Sequence, residues 1–181
     1  MGKVRSEIDD IARRFIEAQK IFFVASAPLD ANGHVNLSPK GLDTFRILGP
    51  ARVAYLDFNG SGVETIAHLK ENGRVVLMFC AFQGPPDIYR LYGNGRVVEP
   101  QQDEFATLAS SFAPVDSVRS IIVVEVTRIK DSCGYGVPLF KYEGERTQLQ
   151  TWARHRGPEG LKTYRQEKNR KSIDGLPGLC E

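Results

Sequence analysis

Residues 22–40 read FFVASAPLDANGHVNLSPK, and this stretch has the pattern of a β-hairpin. The run over 20–27 is rich in aromatic and β-branched residues, which favour strands. A turn signal follows at Asp30-Ala31-Asn32-Gly33, because Asn and Gly tolerate the positive φ angles of tight turns. We expect the returning strand to begin over 34–37. The stretch therefore predicts antiparallel β structure.

The sequence on both sides of this hairpin extends the same pattern. Further strands are predicted over 45–48, 52–58, 74–82, 87–99 and 119–130. Gly93 and Gly95 suggest a bulge or bend. Helices are predicted over 6–19, capped by Ser6, over 61–72, ended by Gly73, and over 101–112. Tight turns join most strands, so about six strands should form an antiparallel sheet that closes into a barrel. The fold class is mainly β with flanking helices.

The composition changes after Gly144. Residues 145–172 contain eight Lys and Arg against three Glu, and their apolar residues suggest one or two helices. We expect a barrel domain over 1–143 and a basic helical extension over 144–181, packed on the barrel or on a dimer. The basic residues are typical of a solvated face; a dimer arm and an anion-binding flank are the alternatives.

Composition limits the possible functions. The chain has 181 residues, which suits one compact domain. Its longest apolar run, Val75–Phe82, is far short of the roughly 20 residues that span a bilayer. Three separated cysteines and three histidines without ligand spacing favour a reducing, cytoplasmic location and predict no metal site. A net charge of +2 selects no partner class.

Residues 57–65, DFNGSGVET, are the first candidate site, where a strand ends, a Gly-rich turn follows and a helix begins. Ser61 and Glu64 have the spacing of a capping box. Free N–H groups at such a helix start attract phosphate, and Thr65 adds a hydroxyl. The spacing matches neither a Walker A loop nor a dinucleotide fingerprint. A capped turn without a ligand is the alternative.

Two further stretches are candidates. Residues 35–41, VNLSPKG, place Lys40 just past a strand, where it can serve a phosphate or the electron-rich edge of a reduced flavin. Residues 133–138, CGYGVP, form a loop whose Tyr135 could stack on a ring. Cys133 has no evident base beside it. Ordinary surface or structural turns are the alternatives for both stretches.

In this order, these stretches resemble the pyridoxamine 5′-phosphate oxidase-related family of FMN-binding split barrels. The resemblance extends over Ile8 to Lys130. Its other markers are the run HLKENGR at 68–74 and the strand IYRLYG at 88–93. It implies a six-stranded antiparallel split barrel and a homodimer with FMN at the subunit interface.

The resemblance also implies which residues bind the cofactor. Residues 35–37 would meet the isoalloxazine through backbone groups, and Lys40 would contact the flavin or its phosphate. Asp57 and Phe58 would line the ring and the ribityl chain, and Arg90 would reach across from the second subunit. The full implied set is Val35, Asn36, Leu37, Ser38, Lys40, Asp57, Phe58, Ser61, Gly62, Glu64, Thr65 and Arg90.

Two departures from the family pattern qualify the expected function. Glu64-Thr65 stands where the family often has a phosphate-contacting Arg-Lys pair, so Ser61, Thr65 and the helix N-terminus must do more of the binding. The C-terminal Arg-Leu-x-Pro type segment of the true oxidases is absent, so pyridoxamine phosphate is not the expected substrate. We expect an FMN-dependent oxidoreductase whose small-molecule substrate or electron donor the sequence does not identify.

Other functions on the same barrel remain open. The cofactor could be a deazaflavin, or haem with His34 or His68 as the axial ligand. A non-catalytic flavin carrier or sensor is a further alternative. The sequence argues against a membrane or a nucleic acid as partner, although the basic 145–172 segment would be the surface for the latter.

Overall fold

A computed structural model describes residues 4–180. They form eight strands and four helices. The strands are β1 (Val4–Arg5), β2 (Phe22–Ser26), β3 (Asn36–Lys40), β4 (Phe45–Gly49), β5 (Arg52–Phe58), β6 (Arg74–Cys80), β7 (Asp87–Val98) and β8 (Val118–Cys133). The helices are α1 (Asp10–Ala18), α2 (Glu64–Asn72), α3 (Glu104–Ala109) and α4 (Gln148–Lys168). Along the chain the order is β1-α1-β2-β3-β4-β5-α2-β6-β7-α3-β8-α4.

The strands form one antiparallel sheet in the order β3-β2-β6-β7-β8-β5-β4, with β1 paired to β8. The antiparallel, mainly β prediction is confirmed. Seven of the eight strands are those located in the sequence, and the eighth is β1, a two-residue strand that was not predicted. The six-stranded count is therefore too low.

The sheet curls until distant strands touch. Phe22 on β2 lies 5.3 Å from Phe45 on β4 and 5.6 Å from Tyr55 on β5, measured between ring centroids. These strands are far apart in the sheet order, so their inner faces meet only because the sheet bends round. The resulting barrel interior is the main hydrophobic core, and Ile8, Ala12 and Ile16 from the α1 region join it. A smaller core lies on the outer face of β5 and β8, under α3.

Two predicted backbone features are found where expected. Gly73 ends α2 in the left-handed region with φ of 72°, a conformation that costs glycine little. The register of β7 against β8 shifts between Tyr92 and Gly93. A side chain at Gly93 would collide with the Glu125 backbone, which explains the glycine at this bulge.

Helix boundaries differ more. Helix α1 begins at Asp10, and the side chain of Asp9 rather than Ser6 accepts from the Ala12 N–H at 2.8 Å. Helix α4 leaves helical geometry at Gly157, just before Pro158, so it is two helical pieces. Over residues 4–180, none of the helices is long and apolar enough to cross a membrane.

The C-terminal tail, residues 169–180, is bound to the barrel. Leu179 is buried in the main core, and Asn169 and Ser172 are buried as well. The extension beyond residue 144 thus shares the core of the barrel, while a domain boundary at residue 143 stays a prediction.

Candidate functional site

Strand β3 carries a row of polar side chains along the open edge of the barrel. Asn36, Ser38 and Lys40 pair with Ser26, Val24 and Phe22 of β2, whose side chains are buried. Alternate residues share one face of a strand, so the row faces inward. Leu37 points the other way and is 63% exposed, and Val35, just before the strand, is 74% exposed. Strand β3 therefore offers a polar inner face and an apolar outer face.

The Asn36 end of the row is hydrogen-bonded to helix α2. The Asn36 amide nitrogen donates to Thr65 Oγ1 at 2.9 Å and to Ser38 Oγ at 3.2 Å. Thr65 lies in the first turn of α2 and is buried. These bonds bring the two predicted phosphate-binding stretches into contact.

The Lys40 end of the row belongs to an ion-pair triad that we call the Asp57 triad: Asp57, Lys40 and Arg119. Lys40 Nζ is 2.9 Å from Asp57 Oδ1, and Arg119 Nε is 2.7 Å from Asp57 Oδ2. The side chains of Asp57 and Arg119 are only 2% and 6% exposed, and that of Lys40 is 22% exposed. The triad has one positive charge in excess.

The triad fixes the ionisation of its carboxyl group. Burial alone would raise the pKa of Asp57, but the charges of Lys40 and Arg119 and the hydrogen bonds from both lower it to about 2. Asp57 therefore stays ionised at neutral pH. Its carboxylate is enclosed by the two cations.

The Gly-rich turn after β5 is held from two sides. Arg119 Nη1 donates to the Gly60 carbonyl at 3.1 Å, and the Asn169 amide nitrogen donates to the same carbonyl at 2.8 Å. Asn59 is tied to the Ser117 carbonyl at 2.7 Å. Ser61 and Gly62 are exposed at the tip of the turn. The turn thus has a fixed base and an accessible tip.

The predicted capping box is not formed. The N-cap of α2 is Val63, and no side chain within the described residues caps this helix start. Glu64 instead accepts from the Ile173 N–H of the tail at 3.3 Å. The sequence rule failed here because a segment 109 residues away supplies the partner. The first-turn N–H groups of α2 have no intrahelical acceptors.

The tail is joined to both sides of this region. Asp174 accepts from the His34 backbone N–H at 2.8 Å and lies 2.6 Å from His34 Nδ1. Lys70 on α2 donates to the Gly178 carbonyl at 2.6 Å. These bonds connect the tail to the β2–β3 loop and to helix α2. The sequence predicted a basic flank here but not these contacts.

Besides Val35 and Leu37, three predicted site residues lie outside the polar row. Phe58 packs against the smaller core on the opposite face of β5 from Asp57. Arg90 donates to Ser132 Oγ of its own chain at 3.0 Å. Glu64, as above, faces the tail. The structure thus brings together Asn36, Ser38, Lys40, Asp57 and Thr65, with Ser61 and Gly62 at the adjoining turn.

Sequence reasoning missed Arg119 and Asn169. Arg119 stands at the start of a strand that is otherwise apolar over 121–124, and a charge in that position is the signal that could have identified it. Asn169 carried no such signal, because its role depends on how the tail folds back. Across the described chain, no group of three or more His, Cys, Asp or Glu could hold a metal ion.

An antiparallel sheet that curls into a barrel but stays open beside β3, with a polar row along the opening, defines a split barrel. The family model of pyridoxamine 5′-phosphate oxidase matches residues 8–133. A pyridoxamine 5′-phosphate oxidase family protein of Aspergillus flavus, ustO, is 38% identical over 95% of this chain and 76% of its own length. The chain belongs to the pyridoxamine 5′-phosphate oxidase family.

Solved structures share the fold at low sequence identity. HupZ from Group A Streptococcus is 20% identical with a TM-score of 0.53, covering 67% of this chain and 91% of its own. The FAD binding protein of Mycobacterium smegmatis is 10% identical with a TM-score of 0.50, covering 71% and 97%. These likenesses concern the fold.

Proposed function

We propose that this protein binds FMN at the open edge of the barrel and acts as an FMN-dependent oxidoreductase. One observation carries the proposal. Two stretches that are separate in the sequence meet in one row: Asn36 to Lys40 on β3, and residues 57–65, which contribute Asp57 on β5 and Thr65 on α2. The FAD binding protein that shares the fold supports a flavin as the cofactor class.

The residues present fit the phosphate of FMN. The Asp57 triad leaves one positive charge beside the row, and the uncapped first turn of α2 has free N–H groups for an anion. Ser38, Ser61 and Thr65 supply hydroxyl groups. Glu64 would repel a phosphate: one of its carboxylate oxygens accepts from Ile173 of the tail, and the other lies beside Gly62 in the turn. The missing Arg-Lys pair is thus partly replaced by buried cations.

The outer face of β3 fits the ring system. Val35 and Leu37 are largely exposed, and an apolar surface of this kind suits a planar aromatic group. Their backbone groups lie along an edge strand, whose unpaired N–H and C=O groups are available for hydrogen bonds.

When bound, the flavin would supply hydride and electron transfer. The residues of the chain would bind the flavin, orient it and provide charge beside it. Lys40 is the partly exposed cation of the triad, so it can approach the cofactor. Asp57 holds its ammonium group in place, with 2.9 Å between Lys40 Nζ and Asp57 Oδ1. No side chain need act as an acid or a base, so the catalytic residues stay unassigned. The proposed substrate and electron donor are small molecules.

The active assembly we propose is a homodimer with its cofactor sites at the subunit interface. Arg90 would contribute from the second chain. Cys80, Cys133 and Cys180 are all free thiols, which suits a reducing compartment such as the cytoplasm.

The first test compares FMN with riboflavin, which lacks the phosphate. The purified protein is examined for flavin absorption bands and then titrated with both ligands by calorimetry. We expect FMN to bind more tightly than riboflavin by at least about tenfold, since one charge-assisted hydrogen bond has that effect. Failure to take up FMN, or equal affinity for both ligands, would argue against the proposed site.

A variant pair locates the phosphate. Thr65→Val should weaken FMN binding by roughly tenfold and leave riboflavin binding unchanged. Thr163→Val is the matched control, because Thr163 is exposed on α4 and its hydroxyl donates to the Glu159 carbonyl. Lys40 is a poorer probe, because its removal also disturbs Asp57.

The alternatives give different signals. Haem would need an axial histidine, but His68 is fully buried with Nδ1 3.0 Å from Ser26 Oγ, and His34 is bonded to Asp174. A Soret band would favour haem nonetheless, and a deazaflavin would show its own absorption maximum. A carrier or sensor would bind FMN without turnover of nicotinamide donors.

A further inference from the structure

A large cleft lies apart from most of the polar row. Its volume is about 1260 Å³, which exceeds the usual range of roughly 300–1,000 Å³ for small-molecule sites. One wall consists of Phe23 on β2, Pro39 and Lys40 at the end of β3, and the loop after β3; the other is the segment 140–149. Val35 and Leu37, which we propose meet the flavin ring, do not line the cleft. Of the proposed flavin-site residues, only Lys40 lines it.

The walls of the cleft are aromatic. Phe23 contributes from β2, Phe82 from the turn after β6, and Phe140 and Tyr142 from the opposite segment. Phe140 is attached to the barrel, because its N–H donates to the Phe82 carbonyl at 3.0 Å and the two ring centroids are 5.5 Å apart. The opposite wall is therefore bound to the barrel at this point.

The cleft also has unmatched positive charge. Lys20, Lys141 and Arg146 line it, are exposed, and form no ion pair with any other residue in the range 4–180. The single acidic lining residue is Glu145, which accepts from the Tyr142 hydroxyl at 2.8 Å. Lys40, which also lines the cleft, is paired with Asp57. The cleft thus carries an excess of positive charge over apolar walls.

We propose that this cleft binds a small organic anion with a planar, apolar body, such as an aromatic carboxylate or sulfonate. The rings match the body of such a ligand, and the three cations match its acidic group. A protein surface filling the same space would have to bury three cations, which is costly without matching acids. The proposal goes beyond flavin binding and does not depend on it.

The test uses a matched pair of fluorescent probes on the whole protein. One is 8-anilinonaphthalene-1-sulfonate, and the other is N-phenyl-1-naphthylamine, which has the same rings without the sulfonate. We expect one sulfonate probe per chain, with an affinity that falls as salt is added. The double variant Lys141→Gln/Arg146→Gln should weaken the sulfonate probe by roughly tenfold or more and the neutral probe by less than about twofold.

Controls separate the cleft from general charge and from unfolding. Lys162→Gln/Lys168→Gln removes two exposed cations of α4 that do not line the cleft, and it should leave both probes unaffected. Phe140→Ala should weaken both probes, and its melting temperature should match wild type because Phe140 is 61% exposed. Equal loss of the sulfonate probe in both double variants would overturn the proposal.

A competition experiment distinguishes this site from the flavin site. Saturating FMN should leave the sulfonate titration unchanged. Displacement of the probe by FMN would show that the cleft is the cofactor site, and the separate anion site would then be rejected. A protein that binds the sulfonate probe but not FMN would support this proposal while contradicting the proposed function.

Discussion

Asp57 keeps its negative charge in a place that water does not reach, because two cations on other strands replace the solvent. Lys40 comes from β3 and Arg119 from β8, and both contact the same carboxylate. Such a buried network is costly to break but need not stabilise more than an apolar cluster would. Its consequence here is a positive charge beside the polar row.

The acid stability of the protein should depend on this carboxyl group. The folded-state pKa of Asp57 is about 2, below its ordinary value of 3.8. Its contribution is therefore complete above about pH 4 and is lost as the pH falls through about 2. We expect the difference in unfolding free energy between wild type and Asp57→Asn to shrink by about 2 kcal/mol between these pH values. Urea titrations at several pH values measure it, and a constant difference would contradict this account.

At neutral pH the same variant should be clearly destabilised. Asp57→Asn leaves Arg119 buried without its counter-ion, which should cost about 3 kcal/mol of unfolding free energy. Asp43→Asn is the control, because Asp43 pairs with Arg46 but its side chain is 80% exposed. That change should cost less than about 1 kcal/mol. Equal costs in chemical denaturation would show that burial of the Asp57 triad does not matter.

At the scale of elements, the tail behaves as part of the barrel. Leu179 is 5% exposed within the main core, whereas Ile173 on the same tail is 68% exposed. Leu179→Ala should therefore cost about 3 kcal/mol of unfolding free energy. Ile173→Ala, on the same tail but with an exposed side chain, should change it by less than about 0.5 kcal/mol. A small effect for Leu179→Ala would mean that the tail is not held in the core in solution.

The elements also show which features the sequence could predict. Strand β5 was predicted with its observed bounds, and Gly73 and the bulge at Gly93 were identified, because local backbone rules decide them. The predicted start of α2 was wrong, because Glu64 is engaged by Ile173 rather than by the helix. Local rules do not include partners that are distant in the sequence. The same limit concealed Asn169, whose amide holds the Gly60 carbonyl.

The residues of the candidate site also differ in how far the sequence could predict them. Asn36, Ser38 and Lys40 were predicted as site residues by the resemblance, but the returning strand was expected over 34–37 with Lys40 just past its end. The structure places all three on β3, Asn36–Lys40, where alternate residues share one face. Their contacts with Thr65 and Asp57 depend on how the sheet curls. The strand pattern predicted a closed barrel but did not specify which side chains would meet. Phe58 was expected beside Asp57, but successive residues of a strand face opposite sides. The alternation of side chains along a strand is sufficient to show that Asp57 and Phe58 face opposite sides of β5.

At the scale of the whole molecule, the barrel leaves one edge strand with an exposed apolar face. Strand β3 ends the sheet, and Val35 and Leu37 are exposed on its outer side. Edge strands of this kind pair with other chains unless they are protected. A twofold dimer would cover this face on both chains, together with the flavin ring that we propose lies on it.

We therefore expect a homodimer in solution, and a single charge on this face should dissociate it. Leu37→Asp should produce monomers in sedimentation velocity at micromolar concentration, because a carboxylate buried in the contact would be desolvated without a partner. Leu29→Asp is the matched control: Leu29 is also 63% exposed but lies in the β2–β3 loop, and it should remain dimeric. Leu37→Asp should also lose FMN, because the dimer dissociates and because Leu37 itself is proposed to contact the flavin ring. Wild-type monomers that retain FMN tightly would contradict both the dimer and the interfacial position of the site.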